Sequence, residues 1–307
     1  MLVIKDTREV EGKFPRTVMT IGNFDGVHRG HQALIGKLID RAREIDGKSV
    51  VFTFHPHPLK VMAPEKCPPL INLPPQKVSL FEKLGVDIVV NQEFTREFAL
   101  QSPRDFVELI LCKPLHPVEI FVGSDFRFGK AREGNIDCLQ KLGAEFGFEV
   151  RIVDPITYKE VIVSSTLIRR LLVEGRVEEA SEFLGRSYTI TGTVVKGDAR
   201  GRELGFPTAN VRTENDIIPR KGVYAVKVHC LRQTFDGVTN IGLRPTFNKD
   251  TLTIEVFIFD FDDDCYEQPI TLEFAARLRD EKAFKGPDEL VAQIQKDVVE
   301  AQRILSS

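Results

Sequence analysis

The chain has 307 residues, 28% of them charged, and a formal net charge of −3. No basic surface therefore points to nucleic acid or to an anionic membrane as partner. The length exceeds one ordinary domain and predicts two, and 42% apolar residues suits a soluble globular protein. Five cysteines, at 67, 112, 138, 230 and 265, are odd in number, lack a CxxC and fit no zinc pattern. They read as reduced thiols of a cytoplasmic protein. Lys5, Asp6, Arg8 and Glu9, with no apolar h-region beside them, predict no secretory signal, and no apolar run reaches the roughly 18 residues of a spanning helix.

In chain order, short runs rich in Val, Ile and Phe predict strands at Val18–Ile21, Ser49–Phe54, Val86–Val90, Glu119–Val122 and Glu149–Val153. Between them, His31–Ile45 carries Leu34, Leu38 and Ile45 on a helical stripe, and Ser102-Pro-Arg-Asp105 opens a helix with Pro at its first position. Strand and helix alternate to about residue 184, which predicts a parallel sheet covered by helices. After Gly185 the texture changes to strand-like runs with Gly, Asp and Asn turns. Among them are Gly222–Val228, Thr251–Phe259 and Ile270–Phe274. These predict a small antiparallel β-barrel. A closing amphipathic helix from Pro287 to about Ile304 bears Leu290, Ile294 and Val298 on one stripe. The expected domains are 1–184 and 185–307.

Four of the six histidines fall in two groups, His28 with His31 and His55 with His57. His28-Arg-Gly-His31 lies where a strand passes through a turn containing Gly22 and Gly26 into a helix. A helix N-terminus offers free N–H groups and a positive dipole end to phosphate. Two imidazoles three residues apart can then donate to phosphate oxygens as charge builds in a transition state. Gly47-Lys-Ser49 ends like a P-loop, but Ala42 replaces the first glycine and a strand follows instead of preceding it. No GxGxxG occurs, which excludes the usual dinucleotide fingerprint.

Asn23-Phe-Asp-Gly-Val-His-Arg-Gly-His31 resembles the signature of the adenylyltransferase module of bacterial FAD synthetases, a branch of the HxGH nucleotidylyltransferases. Phe54-His-Pro-His-Pro58, Gly123-Ser-Asp-Phe-Arg-Phe-Gly129 and Ser164-Ser-Thr-Leu-Ile-Arg169 match the same module in order. The resemblance implies a Rossmann-like fold with His28 and His31 catalytic. It implies ATP on Gly22, Asn23 and Phe24, with Ser165, Thr166 and Arg169 on the phosphates. Phe54, His57, Pro58, Asp125 and Phe128 would line the nucleotide or flavin pocket.

In the second half, Lys196 to Asn210 joins a flexible glycine stretch to Pro207, which fixes the local backbone. If the segment is extended, Thr208 and Asn210 face one side around Ala209. Their hydroxyl and amide oxygens suit Mg²⁺. Gly205-Phe-Pro-Thr-Ala-Asn210 resembles the PTAN motif of riboflavin kinases. Gly222-Val-Tyr224, Asn240-Ile-Gly242 and Leu278-Arg-Asp-Glu-Lys-Ala-Phe284 match that family too. The resemblance places ATP on Lys196, Gly205, Pro207, Thr208 and Asn210, and the metal on Thr208 and Asn210. It makes Glu255 the general base, with Glu273 as its rival, and sets Arg279 and Phe284 over the flavin. Glu255 is the one charged residue of Thr251–Phe259. The acidic run Asp260–Asp264, without an EF-hand pattern, reads as a solvated turn.

Together the resemblances imply a bifunctional bacterial enzyme. It would phosphorylate riboflavin to FMN with release of ADP, then adenylylate FMN to FAD with release of pyrophosphate, using ATP and Mg²⁺ in both steps. Two alternatives are a nucleotidylyltransferase acting on another small phosphate and a flavin-binding regulatory protein without turnover. Neither oligomeric state nor domain orientation is legible in the sequence.

Overall fold

A computed structural model describes residues 1–197, 204–245 and 250–306. The chain forms two compact units, Met1–Ser164 and Ser165–Ser307.

The first unit is built on a six-stranded parallel sheet. Its strands are β1 (Leu2–Ile4), β2 (Thr17–Ile21), β3 (Lys48–His55), β4 (Ile88–Glu93), β5 (Pro117–Gly123) and β6 (Glu149–Val153), in the order β1-β4-β3-β2-β5-β6. Alternate residues of each central strand feed two separate cores. Met19, Ile21, Val50, Phe52, Ile120 and Val122 enter one core with Phe106, Leu111 and Leu139. Val18, Val51, Val89 and Phe121 enter the other, under Leu34, Ile35, Leu38 and Ala42 of helix α1 (Arg29–Glu44) and Phe81 of α2 (Pro74–Leu84). Helix α1 stops one residue short of Ile45, which becomes its C-cap. The helix predicted from Ser102 starts as expected, with the Ser102 side chain accepting from the Asp105 N–H. It then runs as a π-helical stretch, Phe106–Cys112, before a last α-turn, Lys113–Leu115. Helix α3 (Ile136–Phe146) precedes β6. Being an edge strand, β6 is largely exposed, unlike β5 beside it. Among the elements that were not foreseen are the three-residue β1 and the hairpin of β7 (Thr157–Tyr158) and β8 (Val161–Ile162).

The second unit opens with helices α4 (Ser165–Glu174) and α5 (Val177–Leu184). A closed antiparallel barrel follows, made of β9 (Tyr188–Val195), β10 (Thr208–Thr213), β11 (Gly222–Cys230), β12 (Gln233–Pro245), β13 (Asp250–Ile258) and β14 (Pro269–Arg279). The barrel order is β10-β13-β12-β11-β14-β9. Ile190, Val226, Leu272, Phe274, Ile254 and Val256 are buried in it. Gly185 ends α5 in the left-handed conformation at φ 74°, so the change of texture marks a helix cap. Helix α5 packs on β14, where the Arg277 N–H donates to the Glu178 carboxylate at 3.0 Å.

Helix α6 (Pro287–Leu305) covers one wall of the barrel with Ala301 and Leu305 against Val223, Ala225 and Val238. Its buried stripe runs further along than Leu290, Ile294 and Val298 alone would suggest, and it contains Asp297. That carboxylate, 6% exposed, takes a fork of hydrogen bonds from Arg279 at 2.7–3.0 Å. No helix among the described residues is long and apolar enough to cross a membrane.

Candidate functional site

In a parallel sheet, ligands settle beyond the strand C-termini where the strand order reverses. Here that point lies between β2 and β5. A cavity of about 680 Å³ opens there, lined by Gly22, Asn23 and Phe24 after β2 and by Gly123, Asp125 and Phe128 after β5. Phe54, His57 and Pro58 from the end of β3 also line it, as does His31. Seven of the 22 phenylalanines converge on this space: Phe24, Phe54, Phe94, Phe98, Phe106, Phe126 and Phe128. The sequence motifs account for four of them. Phe94, Phe98 and Phe106 lie outside the motifs, in the segment from the end of β4 to the first residue of the π-helical stretch.

His28 is the N-cap of α1, 6% exposed, and its Nδ1 accepts the backbone N–H of His31 at 3.4 Å. In the neutral ring this bond leaves the proton on Nε2, as a donor directed away from the helix backbone. The two imidazoles stack with centroids 3.6 Å apart and planes at 18°. Phe24 meets His31 edge-on at 5.2 Å. Gly30 makes room for the stack, since a Cβ there would stand 3.2 Å from the His28 ring. The first turn of α1 holds no acidic residue, so nothing on it opposes a phosphate at its positive end. The turn before it is tightly wound, with Phe24 at φ 49°, Gly26 at 85° and Val27 at 40°. His55 is held below the usual imidazole range, chiefly by burial and then by Lys77 and Lys60. Ser165 and Thr166 stand on the first turn of α4 and Arg169 on its second, in the second unit.

On the barrel, register gathers the second set. Glu255 of β13 pairs with Asn210 of β10 on one side and Asn240 of β12 on the other. Directly paired residues share a face, and two residues along β10 Thr208 joins them. This is the outer face, because Ile254, Val256 and Ile258 point inward. Phe206 anchors the PTAN turn edge-on against Phe257, with centroids 5.3 Å apart. Gly205, at φ 83°, and Pro207 complete the turn, while Lys196 stands exposed just past β9. A side chain on Gly197 would overlap the Asn210 amide. Residues 198–203 of the glycine stretch lie outside the described ones.

One neighbour went unnoticed in the sequence. The Glu281 carboxylate lies where a Cβ of Gly242 would be, next to the Asn240 amide. The rival base is elsewhere: Glu273 lies on β14, three strands from β13 around the barrel, with its carboxylate 3.1 Å from His229 Nε2. Arg279 is bound to Asp297 and lies over the Phe284 ring at 5.9 Å. Asp260–Asp264 forms an exposed turn as expected, and no cluster of three or more His, Cys, Asp or Glu among the described residues could cage a metal.

Comparison with known proteins agrees with both halves. A family model described as FAD synthetase matches residues 11–167, and one described as riboflavin kinase matches residues 184–305. The bifunctional riboflavin kinase/FMN adenylyltransferase of Escherichia coli (strain K12) is 40% identical over 93% of this chain and 91% of its own. The protein of the same description from Listeria monocytogenes is 42% identical over 91% of this chain and 90% of its own. A crystal structure from Streptococcus pneumoniae, described as a macrolide-efflux protein, superposes with TM-score 0.87 at 31% identity over 98% of both chains.

Proposed function

The chain belongs to the bifunctional riboflavin kinase/FMN adenylyltransferase family, and on that premise we propose which residues carry each of its two reactions. The enzyme converts riboflavin and ATP to FMN, and FMN with a second ATP to FAD and pyrophosphate. The proposed division of labour is residues 1–184 for adenylyl transfer and 185–307 for phosphorylation. ATP use in both steps supports a cytoplasmic setting.

For adenylyl transfer, an FMN phosphate oxygen attacks the α-phosphorus of ATP as the bond to pyrophosphate breaks. No protein nucleophile is needed, so positioning and charge stabilisation do the work. The stacked His28 and His31 at the open end of α1 carry this reading. Their ring N–H groups donate to phosphate oxygens whose charge grows in the transition state. Gly22, Asn23 and Phe24 form the floor under the nucleotide. Phe54, His57, Pro58, Asp125 and Phe128 take the flat rings, and the phenylalanine-rich wall suits their apolar faces. Ser165, Thr166 and Arg169 are assigned to the ATP phosphates on their motif alone.

For phosphorylation, Glu255 takes the proton of the ribityl 5′-hydroxyl as that oxygen attacks the γ-phosphorus and ADP leaves. Its place between Asn210 and Asn240 supports this role. Lys196, Gly205 and Pro207 border the ATP, Phe284 covers the flavin, and Arg279 holds Phe284 from behind.

The family implies a divalent metal, for which we propose Mg²⁺. The Thr208 and Asn210 oxygens share the face of Glu255, and such hard neutral donors fit an ion held mainly through nucleotide phosphates. When bound, the ion neutralises phosphate charge. Incubation with riboflavin, ATP and Mg²⁺, followed by chromatography, is expected to yield FAD. FMN alone, or unchanged riboflavin, would contradict the reading.

A further inference from the structure

The turn that delivers His28 is not held by its own conformational preferences. Phe24 and Val27 occupy the left-handed region, which side chains with a Cβ avoid and a β-branched residue avoids most. Such a turn persists only where its surroundings over-determine it. The surroundings here fasten alternate residues. The Asp25 carboxylate accepts the N–H groups of Ile71 at 3.0 Å and Asn72 at 3.4 Å. The Val27 carbonyl accepts from the Gln32 side chain at 2.8 Å. At the entry to the turn, the Asn23 carbonyl accepts from Lys77 Nζ at 3.1 Å and from the Thr53 hydroxyl at 3.3 Å. The same Nζ donates to Thr53 Oγ1 at 3.0 Å. These bonds close a triangle joining the turn, the end of β3 and helix α2.

Within that triangle Lys77 is the charged member. Its ammonium is given to two protein oxygens, although burial pushes it down to about 8. A lysine is a costly way to tie a loop unless the tie is needed, because an ammonium is strongly hydrated in water. Lys77 does not line the cavity, whereas Asn23 does. Its direct link to the cavity lining is the bond to the Asn23 carbonyl.

We propose that Lys77 is a positioning residue for adenylyl transfer, fixing the Asn23 end of the turn and with it the placement of His28 and His31. The inference rests on the assignment of that reaction to the two histidines. It makes the segment from Ile71 to Lys77 a support for the phosphate-binding turn, fastened to it at Asn23 and Asp25.

The test uses the full chain carrying Lys77→Met, which keeps the length of the side chain and removes its donors. The second active site supplies an internal reference. Misplacing a reacting group by about 1 Å costs about a hundred-fold in rate. The variant is expected to lose about ten- to a hundred-fold in kcat for FAD formation from FMN, with the KM for FMN changed less than about three-fold. Riboflavin phosphorylation by the same preparation is expected to be unchanged. Amide exchange is expected to quicken in residues 22–28 and not elsewhere in the first unit.

FAD formation at the wild-type rate would overturn the inference. A loss accompanied by faster exchange throughout the first unit would overturn it too, since Lys77 would then support the whole unit and not the turn. His28→Ala is run alongside. If that variant still makes FAD normally, the assignment of the histidines falls and the inference falls with it. If it fails while Lys77→Met is normal, the inference alone falls.

Discussion

With Glu255 as the proposed base, Glu255→Gln is expected to remove proton acceptance from the kinase reaction. Gln keeps the shape of the side chain and cannot take a proton at neutral pH. Glu255 is half-buried on the outer barrel face, between Asn210 and Asn240. An amide is tolerated at such a position, so the stability change is expected to stay within about 0.5 kcal/mol. Loss of a general base is worth about a hundred- to ten-thousand-fold, or roughly 2.7–5.5 kcal/mol of activation free energy. Chromatography of riboflavin, ATP and Mg²⁺ reactions is expected to show FMN formation reduced on that scale. FMN supplied directly is expected to become FAD at the wild-type rate. Glu273→Gln is the control: it loosens only the half-exposed contact with His229, worth about 0–1 kcal/mol, and leaves kinase turnover intact. Thr208→Ala is expected to weaken use of the metal–nucleotide complex and to recover in part with excess Mg²⁺, whereas Glu255→Gln is not. Near wild-type turnover in Glu255→Gln, together with loss in Glu273→Gln, would refute the reasoning and move the base to β14.

Three further outcomes are expected. Asp297→Ala leaves the Arg279 guanidinium without its buried fork and is expected to destabilise the barrel unit by about 3 kcal/mol, which thermal unfolding would register. Burial holds Lys77 near 8 against an ordinary 10.5, so between those values the unfolded chain binds more protons than the folded one. Stability relative to Lys77→Met should therefore rise with pH across that window, by up to about 3 kcal/mol; a flat difference in urea titrations would contradict it. A fragment from residue 186 is expected to retain kinase activity. One from Ser165 is expected to be several kcal/mol more stable, because Val177, Ala180, Phe183 and Leu184 keep their buried places on α5. Equal unfolding midpoints would count against that packing.

The sheet and the barrel were readable because their signals are local. Unbroken burial in Val18–Ile21 or Ile120–Val122 is written in consecutive residues, and each motif is a short contiguous segment. What escaped depends on contacts distant in sequence. Lys77 lies on an ordinary helix, and only the fold brings its Nζ to Asn23, 54 residues earlier. Glu281 reaches the strand of Asn240 because Gly242 leaves the space. Arg279 is held by Asp297 of the closing helix, 18 residues later, a bond that no strand or helix pattern announces. The choice between Glu255 and Glu273 is invisible in strand pattern, since both are single acids in apolar strands. Barrel order separates them, by placing one beside the PTAN strand and the other across the barrel.

The central claim is that two separate sites act in sequence on one flavin. It is tested most directly by feeding riboflavin, ATP and Mg²⁺ to His28→Ala, to Glu255→Gln and to their mixture. His28→Ala is expected to accumulate FMN and stop, because loss of a preorganised donor costs about a hundred- to a thousand-fold. Glu255→Gln is expected to leave riboflavin unchanged, and the mixture to produce FAD as FMN passes from one chain to the other. FAD at the wild-type rate from either variant alone, or none from the mixture, would contradict the account.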